Sequence, residues 1–404
     1  MLTYEVKLKK MGEMTNLPDS QRLFGFLIYQ SKQFFSEEDI SDFVEKVKEK
    51  QQKCMISSLI PSGYYPIPKE YIFCKLEKSL AKNREKIGTL EQNQLEVKAK
   101  VDELIRELEK KQNSKEDERK GQNKEQRTEK EIQGLKSKII EGKKEYNSIA
   151  DSIYDLSIKG IYETLKKMQF IEKTDLKEIL DLAEKGQEIK VKDLEKRNYL
   201  KQEQSFIQKA GLVSETIQIP GIPNSLYSLP ILTFEDKNGK IQKEFSFWVQ
   251  VEEGSLIANT MEKMKEGLKN NEIPCFLGVK ASSGFNKYSI DAVCKNDESS
   301  EKTGCSKGIY LNLGVLLPQF DKIDIERSIL EIHTSDRKPF EIENEVSKFI
   351  SFVTAGSVIN LKEGITDISQ VGLSIDNSKY NPLYKNAIIF GNSYFVELEV
   401  ANET

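Results

Sequence analysis

The sequence predicts an α+β protein built of ferredoxin-like units, with an antiparallel coiled-coil helical hairpin inserted into its first half. Strand, helix and strand patterns alternate in both halves of the chain, which is typical of such domains. Between residues 76 and 156 apolar residues recur instead with heptad spacing, in two blocks separated by a polar run. We expect residues 1–74 and 156–295 to form an N-terminal ferredoxin-like region, residues 75–155 the hairpin, and residues 296–404 a C-terminal ferredoxin-like region.

The N-terminal region begins with a strand and two helices. Residues 2–8 alternate apolar and polar side chains, as a half-buried strand does. Pro18 and Asp19 indicate a helix start, with Pro18 near the cap and Asp19 in the first turn. Residues 37–52 have the spacing of a second amphipathic helix, and residues 56–60 favour another strand.

The inserted hairpin has the most regular pattern in the chain. Apolar positions from Leu76 to Leu108 follow a spacing of four and three residues, and the block from Ile132 to Leu156 repeats it. The polar residues 110–130 show no periodicity, so we expect them to form the tip. Asn83 and Gly142 interrupt the seam, and a polar seam residue can fix helix register at a cost in stability.

The rest of the chain returns to shorter elements. Helices are expected over residues 159–168, 175–183 and 256–270, and partial helix over residues 187–200. The turn Asp236–Gly239 predicts a β-hairpin between strands at residues 228–234 and 244–251. Four more strands are expected, over residues 308–316, 328–334, 348–354 and 394–400.

Composition argues against an enzyme and against a membrane protein. The chain has 404 residues and a formal net charge of −4, and its only histidine is His333. Most acid–base, nucleophilic and zinc chemistry uses histidine, so we expect no catalytic residue, no metal site and no cofactor. The five cysteines include no C-x-x-C pair, which favours free thiols in a reducing cytoplasm. No apolar run is long enough to span a bilayer, and the N-terminus lacks the apolar region of a signal peptide.

Two small-residue segments could contact a ligand. Residues 276–290 combine glycines, serines, lysines and aromatic residues between two strand-like stretches. Exposed amides, serine hydroxyls and lysines can hold phosphates, and Phe285 or Tyr288 could stack on an unpaired base. Residues 351–359 form a strand leading into a small-residue bend that could approach RNA through its backbone. On residue chemistry alone, tight turns between packed elements are the favoured explanation of both segments.

A third candidate is the basic N-terminal surface. Lys9 and Lys10 follow the first strand, and Arg22 lies in the first turn of the first helix, where anions are favoured. Charged surface residues are more often only solvated.

Several segments, in order, carry a family resemblance. They are D-S-Q-R-L-F-G-F-L at 19–27, Y-Y-P-I-P-K at 64–69, L-K-K-M-Q-F-I at 165–171, L-G-V-K-A-S-S-G-F-N-K-Y at 277–288, A-G-S-V at 355–358, Q-V-G at 370–372, N-P-L-Y-K-N-A at 381–387 and F-V-E-L-E-V at 395–400. Together they resemble the Cas-five-type subunit of subtype III-A CRISPR effectors, subunit four of the Csm complex. The resemblance covers most of the chain except about residues 75–155, and it departs from the family at Asn286, which replaces a loop glycine, and at Ala355, which replaces an acidic residue.

The resemblance implies two ferredoxin-like domains of the RRM-like RAMP type and no catalysis. It implies binding to the repeat-derived 5′ handle of the crRNA, and contact with the large polymerase/cyclase subunit and the backbone RAMP subunits. The expected RNA-binding residues are Lys9, Lys10, Arg22, Gly278, Lys280, Ser282, Ser283, Gly284, Phe285, Asn286, Lys287, Gly356 and Ser357.

Two other functions are compatible with the sequence. One is a structural coiled-coil adaptor without RNA binding, in which the hairpin is the functional part. The other is a guide-processing endoribonuclease of the wider RAMP superfamily, which the single His333 disfavours.

Overall fold

The structure is a computed structural model that describes residues 1–117, 122–210, 226–269, 273–278, 280–296, 308–335, 350–377 and 388–398. The chain divides into two compact units. Unit 1 comprises Met1–Tyr71, Lys167–Glu178 and Asn198–Thr404, and unit 2 comprises Ile72–Lys166 and Ile179–Arg197. The fold is mixed α/β, and every strand ladder among the described residues is antiparallel.

Helices form most of unit 2, and strands form most of unit 1. In chain order, the helices are α1 (Ser20–Ser31), α2 (Glu37–Lys48), α3 (Lys69–Lys75), α4 (Glu77–Asp117), α5 (Gln122–Leu156), α6 (Ile158–Lys167), α7 (Lys173–Glu184), α8 (Val191–Glu195) and α9 (Leu256–Leu268). The strands are β1 (Leu2–Lys10), β2 (Cys54–Ile56), β3 (Ile60–Pro61), β4 (Tyr64–Pro66), β5 (Phe170–Glu172), β6 (Tyr199–Ala210), β7 (Leu226–Glu235), β8 (Glu244–Val251), β9 (Ile273–Phe276), β10 (Lys287–Asn296), β11 (Ile309–Asn312), β12 (Ile332–Ser335), β13 (Ile350–Val353), β14 (Val358–Asn360), β15 (Ile375–Asp376), β16 (Ile388–Ile389) and β17 (Phe395–Glu397).

The largest sheet of unit 1 has the order β2-β8-β1-β10-β9, and β3 also pairs with β8. Strand β1 lies at its centre, and Tyr4, Val6 and Leu8 are at most 1% exposed on one face. Because side chains alternate along a strand, Glu5, Lys7 and Lys9 lie on the other face. This second face is called the lysine face below.

A four-stranded sheet with the order β4-β5-β6-β7 also belongs to unit 1. Edge-to-face contacts run from Phe170 to Phe234, from Phe234 to Phe245, and from Phe245 to Tyr288. This chain of rings joins strands of both sheets, so the aromatic core fixes the position of β10. The C-terminal third contributes three smaller sheets, β14-β11-β17, β12-β13 and β15-β16, around a cluster that includes Leu316 and Val353.

The structure corrects one predicted pairing. Strands occur at residues 228–234 and 244–251, and the turn at Asp236–Gly239 forms with an antiparallel bridge from Glu235 to Ile241. The two strands do not pair with each other beyond it: β7 pairs with β6 over ten residue pairs, and β8 enters the large sheet. Residues 245–249 are buried on both faces of β8, as the central strands of a sheet are. The polar pattern of β6 gave no comparable signal.

Several element ends differ from the predicted ones. Asp19 is the N-cap of α1, where its carboxylate accepts a hydrogen bond from the Arg22 amide at 2.8 Å. Helix α2 ends at Lys48, and Lys50 adopts a left-handed conformation with φ of 61°. Strand pairing at residues 56–60 is divided between β2 and β3. Residues 110–130 were expected to form the tip, but α4 continues to Asp117 and α5 begins at Gln122. Lys, Glu and Gln, which are frequent in this segment, are good helix formers.

In unit 2, α4 and α5 pack against each other in antiparallel directions. The Lys111 ammonium lies 3.0 Å from a Glu131 carboxylate oxygen, and a Cβ at Gly142 would lie only 2.5 Å from Cγ2 of Val101. Gly142 therefore permits the close approach of the two helices where it interrupts the heptad seam. Coiled-coil supercoiling and the ferredoxin-like classification remain predictions.

Asn83 fixes the base of this helix pair. Its side chain is 1% exposed, and its amide nitrogen donates hydrogen bonds to the carbonyls of Leu156 at 3.0 Å and Ile189 at 2.9 Å. The last carbonyls of a helix have no partner within the helix, so Asn83 satisfies one of them at the end of α5.

We predict that Asn83→Ala lowers the free energy of unfolding of unit 2 by roughly 2–4 kcal/mol, because two buried carbonyls lose their donor. Urea denaturation followed by circular dichroism measures this difference. Asn93→Ala, at an exposed position of the same helix, is the control and should stay within roughly 0.5 kcal/mol of wild type. Equal stability of the two variants would show that the buried amide does not hold the helix pair.

Candidate nucleic-acid interface

The glycine-rich segment forms the loop between β9 and β10, and its backbone is fixed by turns. The Leu277 amide donates to the Asn286 carbonyl at 3.0 Å, which closes the loop. Within it, a single 3₁₀ turn at Ala281–Ser283 is flanked by left-handed residues, Lys280 with φ of 61° and Gly284 with φ of 81°. A Cβ at Gly284 would meet nothing within 4 Å, so glycine is needed there for its backbone conformation.

Asn286 anchors the loop to the segment that follows β1. It is fully buried and has a φ of 53°. Its backbone amide donates to the Glu13 carbonyl at 2.8 Å; its side-chain oxygen accepts from the Thr15 amide, and its side-chain nitrogen donates to the Thr15 hydroxyl, both at 2.9 Å. The residue that departs from the family's glycine therefore tolerates the left-handed backbone and also ties two distant segments together.

Two glycines make room for this anchor. A Cβ at Gly278 would lie 2.5 to 2.8 Å from side-chain atoms of Asn286, and a Cβ at Gly12 would lie 2.3 Å from the Gly284 carbonyl oxygen. Both positions are occupied by the protein itself. Gly278 thus serves the packing of the loop, which differs from the close approach to a ligand that the sequence suggested.

The basic residues near the loop divide between the two faces of the sheet. Lys9 pairs with Ser289 and Lys287 pairs with Phe276, so these side chains share the lysine face. Lys9 and Lys287 are diagonal neighbours, which places their Cα atoms about 7–8 Å apart. Lys10 pairs with Tyr288 on the opposite face.

The side chains of Lys10 and Arg22 are less accessible to RNA than the sequence suggested. The Lys10 side chain is 10% exposed and its ammonium lies 3.6 Å from the Glu13 carboxylate. The Arg22 Nη1 and the Tyr288 hydroxyl are both buried without a hydrogen-bond partner in the structure. Burial raises the pKa of the Tyr288 phenol, Cys275 adds to this, and the Arg22 charge partly opposes it. Both groups lie on the covered side of the sheet.

The prediction that Phe285 or Tyr288 stacks on a base is wrong for the observed placement. Phe285 is 4% exposed in a cluster with Leu229 and Ile231, and Tyr288 is fully buried. At the start of this loop, the Phe276 ring of β9 is 49% exposed. The sequence carried a weak signal for the exposure of Phe276. Its apolar neighbours Cys275 and Leu277 are both buried, and side chains alternate between the two faces of a strand.

The loop tip presents polar groups. Lys280, Ser282 and Ser283 are exposed, as is Lys287 at the start of β10. Together with Lys9 and Phe276 they form the candidate interface: lysines and hydroxyls that suit phosphates, beside one exposed ring that suits a base.

Gly356 and Ser357 lie elsewhere in unit 1, between β13 and β14. Ser357 is 1% exposed and its hydroxyl accepts a hydrogen bond from the Glu331 amide at 2.9 Å. Gly356 has a φ of 100° and is itself buried, and its amide donates to the Asn312 carbonyl at 2.9 Å. Burial raises the pKa of the nearby Glu331 carboxyl, an effect that Lys69 opposes. The side chain of Ser357 is thus used inside the protein.

The described residues form neither a metal-binding group nor a membrane-spanning helix. No group of three or more His, Cys, Asp or Glu side chains in this part of the chain is placed to hold a metal ion. His333 pairs with Phe352 in the β12–β13 ladder. Burial raises the pKa of the Cys275 thiol to about 12, which keeps it protonated. In the same ranges, no helix has both the length and the apolar character needed to cross a bilayer. The family-like segment 381–387 lies outside the described residues.

Comparisons with known proteins add structural neighbours only. No family model matches the chain, and no curated protein matches it in sequence. The crystal structures of a Csm1–Csm4 cassette in complex with cA4, with AMPPNP and with cA3 are similar to it at 12%, 12% and 11% identity, with TM-scores of 0.43, 0.42 and 0.41. Each match covers 100% of this chain and 100% of the other. TM-scores below 0.5 assign neither a fold family nor a function.

We predict that Asn286→Ala lowers the free energy of unfolding of unit 1 by roughly 1–3 kcal/mol, because the Thr15 amide and hydroxyl lose their partner. Alanine also pays about 1 kcal/mol for the left-handed backbone. Asn286→Gly removes the same hydrogen bonds without that backbone cost, and should therefore be the more stable of the two variants. Urea denaturation of both variants checks the order; a reversed order would mean that the backbone conformation is not retained.

Proposed function

We propose that this protein is a non-catalytic, crRNA-binding subunit of a type III CRISPR effector, which binds the repeat-derived 5′ handle of the guide RNA. The observation that carries the proposal is the anchored loop that joins β9 to β10 and exposes Lys280, together with the sheet face on which Lys9, Lys287 and the exposed ring of Phe276 lie. The ordered resemblance of the sequence to the Cas-five-type subunits supports the same function.

The geometry suits a single strand of RNA more than a duplex. Single-stranded RNA is held by cations along its backbone and by aromatic rings on which bases stack. Lys280 and Lys287 would bind phosphates, and the hydroxyls of Ser282 and Ser283 would donate to them. Phe276 would stack on one base. The fixed backbone of the loop means that little ordering is needed on binding.

The overall charge is compatible with this function. The chain carries a net charge of −4, whereas free-standing nucleic-acid-binding proteins are usually basic. A subunit that shares its RNA with neighbouring subunits needs only a local basic surface. Two RAMP-type ferredoxin-like domains, a coiled-coil hairpin, contacts with the large polymerase/cyclase subunit and the backbone RAMP subunits, and a cytoplasmic location complete the proposal.

The first test is purification of the tagged protein from its native host at moderate salt, followed by sequencing of any RNA that co-purifies. Short RNAs with a common repeat-derived 5′ end, together with other CRISPR subunits, are the expected result. A stable protein partner without RNA would overturn the proposal in favour of the adaptor, with the α4–α5 pair as its functional part.

We predict that Lys280→Ala combined with Lys287→Ala weakens binding of single-stranded oligouridine and lowers the slope of log affinity against log salt concentration by about 1.4, or about 0.7 per lost phosphate contact. Fluorescence anisotropy of labelled oligouridine over a salt series measures both. Lys136→Ala with Lys138→Ala makes the same charge change at exposed positions of α5 and should leave the slope unchanged. Equal slopes for the two double variants would remove the loop lysines from the interface.

Phe276→Ala should weaken the same interaction by roughly 1–3 kcal/mol, the value of one stacked base, without changing the salt slope. An unchanged slope distinguishes lost stacking from lost charge. Tyr29→Ala, which removes a 66% exposed ring from α1, is the matched control and should bind as wild type. If Phe276→Ala also binds as wild type, no base stacks on β9.

A further inference from the structure

A second group of aromatic residues lies on the lysine face, at the other end of β1. Trp248 pairs with Glu5, so its indole is on the same face as Lys7 and Lys9. The Tyr394 ring stacks on Trp248 with centroids 6.4 Å apart and planes 12° apart, and the Tyr65 ring tilts against it at 6.5 Å. These three rings are called the tryptophan cluster.

A lysine covers the remaining side of this cluster. The Lys173 ammonium lies 4.8 Å from the Tyr65 ring centroid and 5.1 Å from the Trp248 centroid, which is cation–π geometry. Lys173 is an exposed residue, whereas Trp248 is only 5% exposed. The lysine therefore lies as a cover over the faces of both rings.

Two ammonium groups and one carboxylate surround this cluster. Desolvation lowers the pKa of the Lys173 ammonium most, the Lys7 charge lowers it further, and Glu5 partly opposes both. Glu5 is itself 3.8 Å from Lys7, so one carboxylate faces two ammonium groups. Burial raises the pKa values of the Tyr65 and Tyr394 phenols, so both stay neutral and do not repel a phosphate.

The cluster also continues the candidate interface. Lys9 lies four positions after Glu5 on β1, which is about 13 Å along an extended strand. Lys7, with 49% of its side chain exposed, lies between them on the same face. Lys287, Lys9 and Lys7 therefore lie along one face towards Lys173, with the carboxylates of Glu244, which pairs with Lys9, and of Glu5 among them.

We infer that the tryptophan cluster is a second nucleotide subsite for single-stranded RNA, in which the ammonium of Lys173 moves onto a phosphate and an unpaired base takes its place against Tyr65 and Trp248. This inference rests on the proposed function and adds where the RNA goes beyond the loop. One nucleotide satisfies both parts of the site, because its phosphate pairs with the cation and its base stacks on the uncovered rings.

The test uses the fact that Trp248 is the only tryptophan of the chain. The full-length protein is titrated with single-stranded oligouridine while tryptophan fluorescence is recorded with excitation that spares tyrosine. The same RNA carrying a 3′ fluorophore gives total binding by anisotropy. We expect a saturable change in Trp248 fluorescence with the midpoint of the anisotropy curve.

Substitutions of Lys173 distinguish a specific contact of this residue from a general effect of charge. Lys173→Ala should weaken binding and lower the salt slope by about 0.7, while Lys173→Arg should retain both. Lys263→Ala is the matched control, because the Lys263 ammonium lies over Phe34 at 5.3 Å in the same kind of contact, on α9. It should bind as wild type.

Two results would overturn the inference, and they differ. If oligouridine binds and depends on Lys280 and Lys287 while Trp248 fluorescence stays constant and Lys173→Ala binds as wild type, the subsite is wrong and the proposed function stands. If no RNA changes the anisotropy at low salt, the proposed function fails and the subsite fails with it.

Discussion

The pairing of β1 with β8 on one side and β10 on the other is the constraint on which the candidate interface depends. Seven residues of β1, Thr3–Lys9, pair with both neighbours, and the only irregularity in these two ladders lies between Lys7 and Leu8 in the pairing with β10. Alternation along this strand buries Tyr4, Val6 and Leu8 against the helices and aromatic core. It places the lysines on the other face. A shift of one residue would exchange the two faces and expose the core. Because that exposure is unfavourable, the register also fixes the face on which Lys7 and Lys9 lie.

The loop depends on the same pairing, through contacts that are distant in sequence. Asn286 and Thr15 are 271 residues apart, yet their side chains meet because β10 runs antiparallel to β1 and both continue past the end of the ladder. A hairpin loop of ten residues would otherwise sample many conformations. Buried hydrogen bonds to Asn286, and two glycines that let the segments approach, reduce that freedom before any ligand arrives. The contacts that hold the sheet together therefore also preorganise the loop.

Features set by local chemistry could be predicted from the sequence, and features set by distant contacts could not. The helix start at Asp19, the strand at β1 and the helices α6 and α7 follow from capping and periodicity, which act within a few residues. The pairing of β7 with β6 depends on strands that the polar pattern of β6 conceals. Phe285 is buried and Phe276 is exposed because Leu229 and Ile231 cover only the Phe285 ring. These two residues lie more than 50 positions before Phe285 in the chain. The lysines at 280 and 287 could be identified as exposed polar groups, but their relation to Lys9 required the register of the sheet.

What holds each cation in place also decides whether a phosphate can reach it. Lys10 lies beside the Glu13 carboxylate, and an approaching phosphate would meet that negative charge before it met the ammonium. Lys173 is held instead by the faces of Tyr65 and Trp248, which attract the cation through their quadrupoles and carry no net charge. Such a contact orients the lysine through uncharged rings, while the nearby Glu5 carboxylate is shared with Lys7, and when the lysine moves it leaves a surface on which a base can stack. Rings with cations over them are therefore better suited to a nucleotide site than ion pairs with the same number of lysines. On this sheet that arrangement occurs where β1, β8 and the residues flanking β5 converge.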